Sequence, residues 1–336
     1  MAAKFRDAIG LMFLPVAIAA IMIGVSSTAP SPTAPVGAPT QPGPATLDPN
    51  IEPTEYLPTL PPTAPIVNTP TAAATQAVGS TTTPAPTLSP AEWQSWSVVP
   101  VLSLRARSIY ERGLELGNDP QAFSKVGDCQ NVESYFLAVF EKPGEYRLGE
   151  HTELQETIDY FKGSFSRDSL AVRGGFNVAS VLSPFWADRA MCEDSESPLA
   201  CEFRHQQPSF AIISMETWWS GKPVVEYEGY LRQIVEYSIE RGTVPILATK
   251  ADNWEGDHRL NAAIVRVAAD YDVPLWNFWL AVQPLPGHGL TEDAFHLSYA
   301  RNFFDDPVRM QSAWPVRNLT ALQVLDAMRR GVNSEQ

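Results

Sequence analysis

Two stretches far apart in the chain hold the residue types that could do chemistry: AFSKVGDCQNVESYFL at 122–137 and DAFHLS at 293–298. The alternation over 122–126 predicts a short strand, and Gly127 and Asp128 give a turn signal. Val132, Tyr135, Phe136 and Val139 then fall at helical spacing. Cys129 is thus expected where a strand passes into a helix, beside unpaired backbone N–H groups and the positive end of a helix dipole. Both lower a thiol pKa and stabilise an anion. A thiol nucleophile needs a base, and His296, with Asp293 three residues before it, is the best candidate among five histidines. The same residues also fit a small buried cysteine in a turn and a hydrogen-bonded loop histidine, and the local pattern leaves both readings open.

GDC at 127–129 resembles the GDS block of the SGNH/GDSL hydrolases, with cysteine in place of the nucleophilic serine, and DAFHLS resembles their DxxH block. Between them, SLAVRGGFNVASVL at 169–182 resembles the glycine block and FAIISMETWW at 210–219 the strand that ends in a GTND-like block. The resemblance runs over about residues 100 to 332 and includes WPVRNLTALQVLDAMRR. It implies an α/β three-layer sandwich around a central parallel sheet, the flavodoxin-like SGNH hydrolase fold. It also implies a triad in which the Cys129 thiolate attacks an ester or thioester carbonyl, His296 carries the proton and Asp293 orients the imidazole.

In that resemblance the oxyanion is held by the Cys129 N–H, by an N–H of Gly174 or Gly175, and by an asparagine side chain. Asp128 and the Trp218–Trp219 pair join the binding set. Placing METWW on the GTND pattern puts Trp218 where the asparagine belongs and Glu216 where glycine stands. Losing one oxyanion donor costs about 3 kcal/mol in the barrier. The Trp218 indole N–H, Asn177 and Asn253 are the candidate replacements. The opposed reading is a catalytically degenerate binding domain in which Trp218 and Trp219 stack on a sugar ring. A third is a surface protein whose stalk matters more than its domain.

The elements that must position these residues follow from periodicity. Helical spacing predicts helices at 102–116, 154–163, 169–182, 225–241, 259–271 and 319–330, and apolar runs predict strands at 208–214, 244–250 and 273–279. Strands joined by helices of this length need crossover connections, so the sheet should be parallel and covered on both faces. Ligands in such sheets collect beyond the carboxyl ends of the strands. Cys129, Trp218, Asn253 and the His296 loop all follow strands at that edge. Glu226, Glu228, Glu236 and Glu240 share one helical stretch and read as a solvated face.

Around this core the 336 residues divide unevenly. Lys4 and Arg6 precede an apolar run at 8–25, so residues 1–27 read as a signal peptide or signal anchor with the rest exported, secreted or tethered to the membrane through 8–25. Residues 28–92 read as a disordered stalk: no Lys or Arg falls between 30 and 90, and more than half of the 30 prolines do. The SGNH hydrolase-like domain is expected over 93–336. Three cysteines in an exported chain leave one over after pairing; Cys192 and Cys201 flank a short polar loop that a disulfide would close, which leaves Cys129 free. A net charge of −14 argues against nucleic acid as a partner. No CxxC, HxxxH or GxGxxG spacing is present, so no metal and no cofactor are expected. The expected partner is a small-molecule or glycan ester, and the expected state a monomer.

Overall fold

The computed structural model describes residues 89–218 and 222–334. The apolar run at 8–25, the stalk up to residue 88 and Trp219 lie outside the described residues. In chain order the elements are α1 (Leu104–Glu115), β1 (Asp119–Gly127), β2 (Tyr146–Arg147), α2 (Gln155–Tyr160), α3 (Pro198–Gln206), β3 (Pro208–Ser214), α4 (Val224–Glu240), β4 (Val244–Ala248), α5 (Arg259–Tyr271), β5 (Leu275–Trp276), α6 (Phe278–Val282), β6 (Asn302–Phe303) and α7 (Ala313–Asn333).

β1, β3, β4 and β5 lie side by side in that order and pair in parallel. The register sets Val126 beside Ile213, Ile213 beside Leu247 and Leu247 beside Leu275. Each strand ends one residue later, so their carboxyl ends are level. Every residue of β3 and β4 is buried, which requires cover on both faces. Helices provide it: α1 packs on β3 and β4 and against α7, while α4 and α5 pack on each other and on β4. The result is the three-layer α/β sandwich that the sequence predicts.

On the free side of β1, Gly127 forms a single parallel bridge to Val172. Its N–H donates to Ala171 O (3.1 Å) and its carbonyl accepts from Arg173 N–H (3.3 Å). Counting this one-residue strand, the spatial order is the flavodoxin-like 2-1-3-4-5.

The structure corrects several sequence expectations. Residues 169–182 are not a helix but turns ending in a 3-10 segment, Ser180–Leu182. Gly175 takes φ +86°, and Asn177 Oδ1 accepts from the N–H groups of Ala179 and Ser180, so local caps replace the helical ladder. No α-helix follows Cys129 either. The chain makes 3-10 turns at Cys129–Asn131 and Ala138–Glu141. Leu137, between them, has φ 66° and donates its N–H to Asn318 Oδ1 of α7 at 2.7 Å. The strand expected over 273–279 shrinks to Leu275–Trp276, because Pro274 has no N–H to offer and Asn277 turns to cap α6. The closing helix is longer than predicted, Ala313–Asn333.

Gly127 is fixed by close approach. A Cβ there would lie 1.9 Å from Asn131 Nδ2 and 2.6 Å from Ser214 O. Gly127→Ala is therefore expected to destabilise the fold by about 2 kcal/mol or more, read as a lower urea midpoint. An unchanged midpoint would contradict this packing.

Candidate active site

β1 carries the chain straight into Asp128 and Cys129. Asp128 is fully buried, and its carboxylate is met by hydrogen bonds: Oδ1 accepts from Gln130 N–H (3.1 Å), and Oδ2 from Glu216 N–H (2.9 Å), Thr217 N–H (2.9 Å) and Thr217 Oγ1 (3.1 Å). This ties the turn after β1 to the segment after β3. Asp128 is thus an internal clamp rather than a group facing substrate, and the N–H groups it engages are closed to an oxyanion.

Beneath the clamp sits Arg317 of α7, with no exposed surface. Its Nη2 donates to Ser214 Oγ at 2.9 Å, its Nη1 lies 3.4 Å from Glu216 Oε1, and its guanidinium stands 4.8, 5.1 and 4.8 Å from the rings of Phe136, Trp276 and Phe278. Aromatic faces help to stabilise a guanidinium that has been withdrawn from water. Burial pushes the Glu216 carboxyl up to about 8 against the pull of Arg317, and Asp128 and Asp252 add to the rise.

Cys129 is half-buried and is the free cysteine; Cys192 and Cys201 form the disulfide, with Cα atoms 5.3 Å apart. Burial first, then Asp128 and Glu216, push the Cys129 thiol up to about 11. This reverses the sequence expectation of a lowered thiol. The cause is structural: the three-residue 3-10 turn at Cys129 carries no helix dipole of consequence, and the nearest charges are carboxyls.

The partner block is well formed. A single bridge between Leu290 and Leu297, with Thr291 N–H donating to His296 O (2.8 Å), closes a tight loop around 293–296. Asp293 Oδ1 accepts from the N–H groups of Phe295 and His296 and from Thr291 Oγ1, and Oδ2 lies 2.5 Å from His296 Nδ1. The His296 ring first, and then those backbone and hydroxyl donors, hold Asp293 far below the usual carboxylate range. Ser298 fastens the loop to α7, accepting from Ala313 N–H through Oγ and from Trp314 N–H through its carbonyl. The imidazole is thereby oriented while its Nε2 stays free of protein partners among the described residues.

His296 and Asp293 line an open cleft of about 580 Å³ beyond the carboxyl ends of β3 and β4. Glu216, Thr217 and Trp218 enter it after β3, Lys250, Trp254 and Glu255 after β4, and Phe295 from the histidine loop. Trp218 packs edge-on against Tyr227 at 5.7 Å, with Lys222 Nζ over its ring at 5.7 Å. Trp254 and Phe295 meet at 6.2 Å, and Phe295 abuts the His296 ring at 5.1 Å. Lys250 is buried between Asp252 and Glu255, at 2.8 and 2.7 Å.

Not every predicted residue is joined. Gly174 faces Cys129, since a Cβ at 174 would sit 3.9 Å from Cys129 Cβ. Among the described residues, neither the Cys129 nor the Gly174 N–H donates to a protein acceptor. No hydrogen bond links Cys129 to His296 among those residues. Asn177 and Asn253 spend their side-chain oxygens on local N–H groups, and neither these two nor Cys129, Gly174 and Gly175 are among the residues lining the cleft. Sequence reading missed Arg317, Lys250, Trp254 and Phe295; Arg317 gave one signal, a lone charge inside the apolar stretch WPVRNL.

The level strand ends, the strand order and the four blocks at one edge agree with each other. The fold is a three-layer α/β sandwich with the flavodoxin-like strand order, and its four blocks resemble those of the SGNH hydrolases. No family model matches the chain, and no curated protein does. Among solved structures it is similar to the psychrotrophic esterase EstA from Pseudoalteromonas sp., at 15% identity and a TM-score of 0.40 over 64% of this chain and 100% of that one. It is also similar to an acetylxylan esterase from Geobacillus stearothermophilus, at 12% identity and a TM-score of 0.37 over 65% of this chain and 96% of that one.

The raised thiol has a direct readout. Iodoacetamide labelling of Cys129 in the folded chain is expected to be slow at neutral pH and to keep accelerating to about pH 10. A rate that levels off near neutrality would contradict the burial account.

Proposed function

We propose that the domain hydrolyses carbonyl esters, with Cys129 as nucleophile, His296 as general base and acid, and Asp293 as the orienting carboxylate. The observation that carries this reading is the Asp293–His296 pair, locked through Nδ1 with Nε2 free on the wall of an open cleft. The pair is exposed, so the imidazole is open to a substrate as well as held in orientation. In the reaction, Nε2 takes the Sγ proton as sulfur adds to the carbonyl carbon, and the C–O bond then breaks as His296 protonates the departing alkoxide. Water attacks the resulting thioester with His296 again as base, releasing the acid and restoring the thiol. Because the thiol is raised to about 11, the thiolate is formed during attack and not held at rest. The N–H groups of Cys129 and of Gly174 or Gly175, none of which meets a protein acceptor among the described residues, are the backbone donors proposed for the oxyanion.

Trp218, Trp254 and Phe295 around the cleft suit the face of a sugar ring, which favours acyl or acetyl esters on glycans over small free esters. The apolar run at 8–25, the Pro/Thr-rich stalk and the Cys192–Cys201 disulfide together favour an exported domain, secreted or anchored at the cell surface, acting as a monomer on such substrates.

A second reading, a binding domain of the same fold, is favoured by two observations: the raised thiol and the tryptophan standing where a donor amide is expected. Hydrolysis of p-nitrophenyl acetate separates the two. The hydrolase reading expects Cys129→Ala and His296→Ala each to cut kcat by about a thousandfold. Parent-level rates in both variants would sink the triad. An inert parent in which Cys129→Ser with Trp218→Asn restores turnover would establish the binding domain.

A further inference from the structure

Glu216 stands first after Met215 in the segment leaving β3, is 2% exposed, and lines the cleft with Thr217, Trp218 and Lys250. One of its oxygens is in use: Ser214 Oγ donates to Oε1 at 3.0 Å, and Arg317 Nη1 lies 3.4 Å from the same atom. The other, Oε2, is buried without a partner, and so is the indole Nε1 of Trp218. A buried polar atom in that state is costly unless something meets it.

The groups around Glu216 decide which kind of atom Oε2 is. Asp128 and Cys129 face it from the turn after β1, Asp252 from the segment after β4 with Lys250 beside it, and Arg317 from α7. Lys250 is already held by Asp252 and Glu255, so one buried guanidinium stands against several carboxyls. That balance, with burial, keeps a proton on Glu216 up to about pH 8. Oε1 already accepts from the Ser214 hydroxyl, so Oε2, which meets no partner, is the oxygen left to carry the proton. Glu216 lines the cleft, and its buried Oε2 meets no acceptor among the described residues. A protonated carboxyl kept neutral by its site is an effective oxyanion donor.

We propose that Glu216 donates from Oε2–H to the carbonyl oxygen of the bound ester, standing in for the oxyanion donor that Trp218 displaces. The proton stays on Glu216 throughout; only the hydrogen bond strengthens as the oxygen gains charge. The proposal rests on the ester-hydrolase reading above. It also explains why a carboxyl occupies a position where the resembling block has glycine: the side chain supplies the hydrogen bond that the next-but-one residue no longer gives.

The test uses the full-length chain and p-nitrophenyl acetate, with Cys129→Ala beside Glu216→Gln and Glu216→Leu. Glu216→Gln keeps a neutral N–H donor and is expected to retain kcat within about fivefold, whereas Glu216→Leu is expected to lose about a hundredfold in kcat with KM little changed. Parent kcat should fall as pH rises through about 8, because the ionised carboxyl no longer donates, and Glu216→Gln should lack that fall. Glu216→Leu at the parent rate while Cys129→Ala is dead would overturn the donor and leave the hydrolase standing. A parent as inert as Cys129→Ala would overturn both. If Glu216→Leu does not fold, the comparison of parent and Glu216→Gln decides: the same alkaline fall in both, or no infrared carboxylic-acid band in the parent at neutral pH beyond that of Glu216→Gln, overturns the proposal.

Discussion

A carboxylate without exposed surface must be met by donors or be lost to its protonated form, and Asp128 is met entirely by donors. Three of those bonds come from Glu216 and Thr217, so a single side chain holds the exits of β1 and β3 at a fixed separation. Other features of the edge follow from that tie. Gly127 must be glycine because Asn131 folds back beneath it to reach Ser214 O. Arg317 fills the space under the clamp, binding Ser214 and standing against Glu216. Its helix, α7, also carries Asn318, which catches Leu137 N–H, and receives the histidine loop through Ser298. The Cys129 turn, the segment after β3 and the Asp293–His296 loop are thus mounted on one buried polar cluster.

That mounting has an electrostatic consequence. Carboxyls outnumber cations near Cys129, and the turn that holds it is too short to contribute a dipole. Burial, and then these carboxyls, disfavour a resting thiolate, so the proposed reaction moves the thiol proton to His296 in the same step as attack. Burial and the same crowding raise the Glu216 carboxyl, and in the proposal above this turns a residue that would be an obstacle as an anion into a donor. The thiol and the carboxyl are two readings of one field.

How much of this the sequence displays depends on the range of the interactions. Pro208–Ser214 is built on the apolar run Phe210–Ile213 and Arg259–Tyr271 is a clean amphipathic repeat, and both form as the sequence predicts. Asp293 and His296 are three residues apart, and their pairing is legible for the same reason. The helix expected after Cys129 fails because its competitor is distant: Leu137 N–H finds Asn318, and the chain takes a left-handed turn there instead. The helix expected at 169–182 loses to Asn177 and Gly175, whose preference for turns outweighs the spacing of the apolar residues. Arg317 is the hardest case. Its partners at Asn131 and Ser214 are more than a hundred residues away, so a charge inside an apolar helix announces that it is special without saying to what.

The most direct test of the account is covalent. Full-length protein mixed with an aryl acetate and quenched in acid within the first turnovers should yield an intact-mass increment of one acetyl group, which peptide mapping places on Cys129. His296→Ala should leave that adduct undetectable on the same time scale. An acetyl group found on another residue, or on Cys129 at the same rate in His296→Ala, would contradict the assignment of this edge as a cysteine hydrolase site.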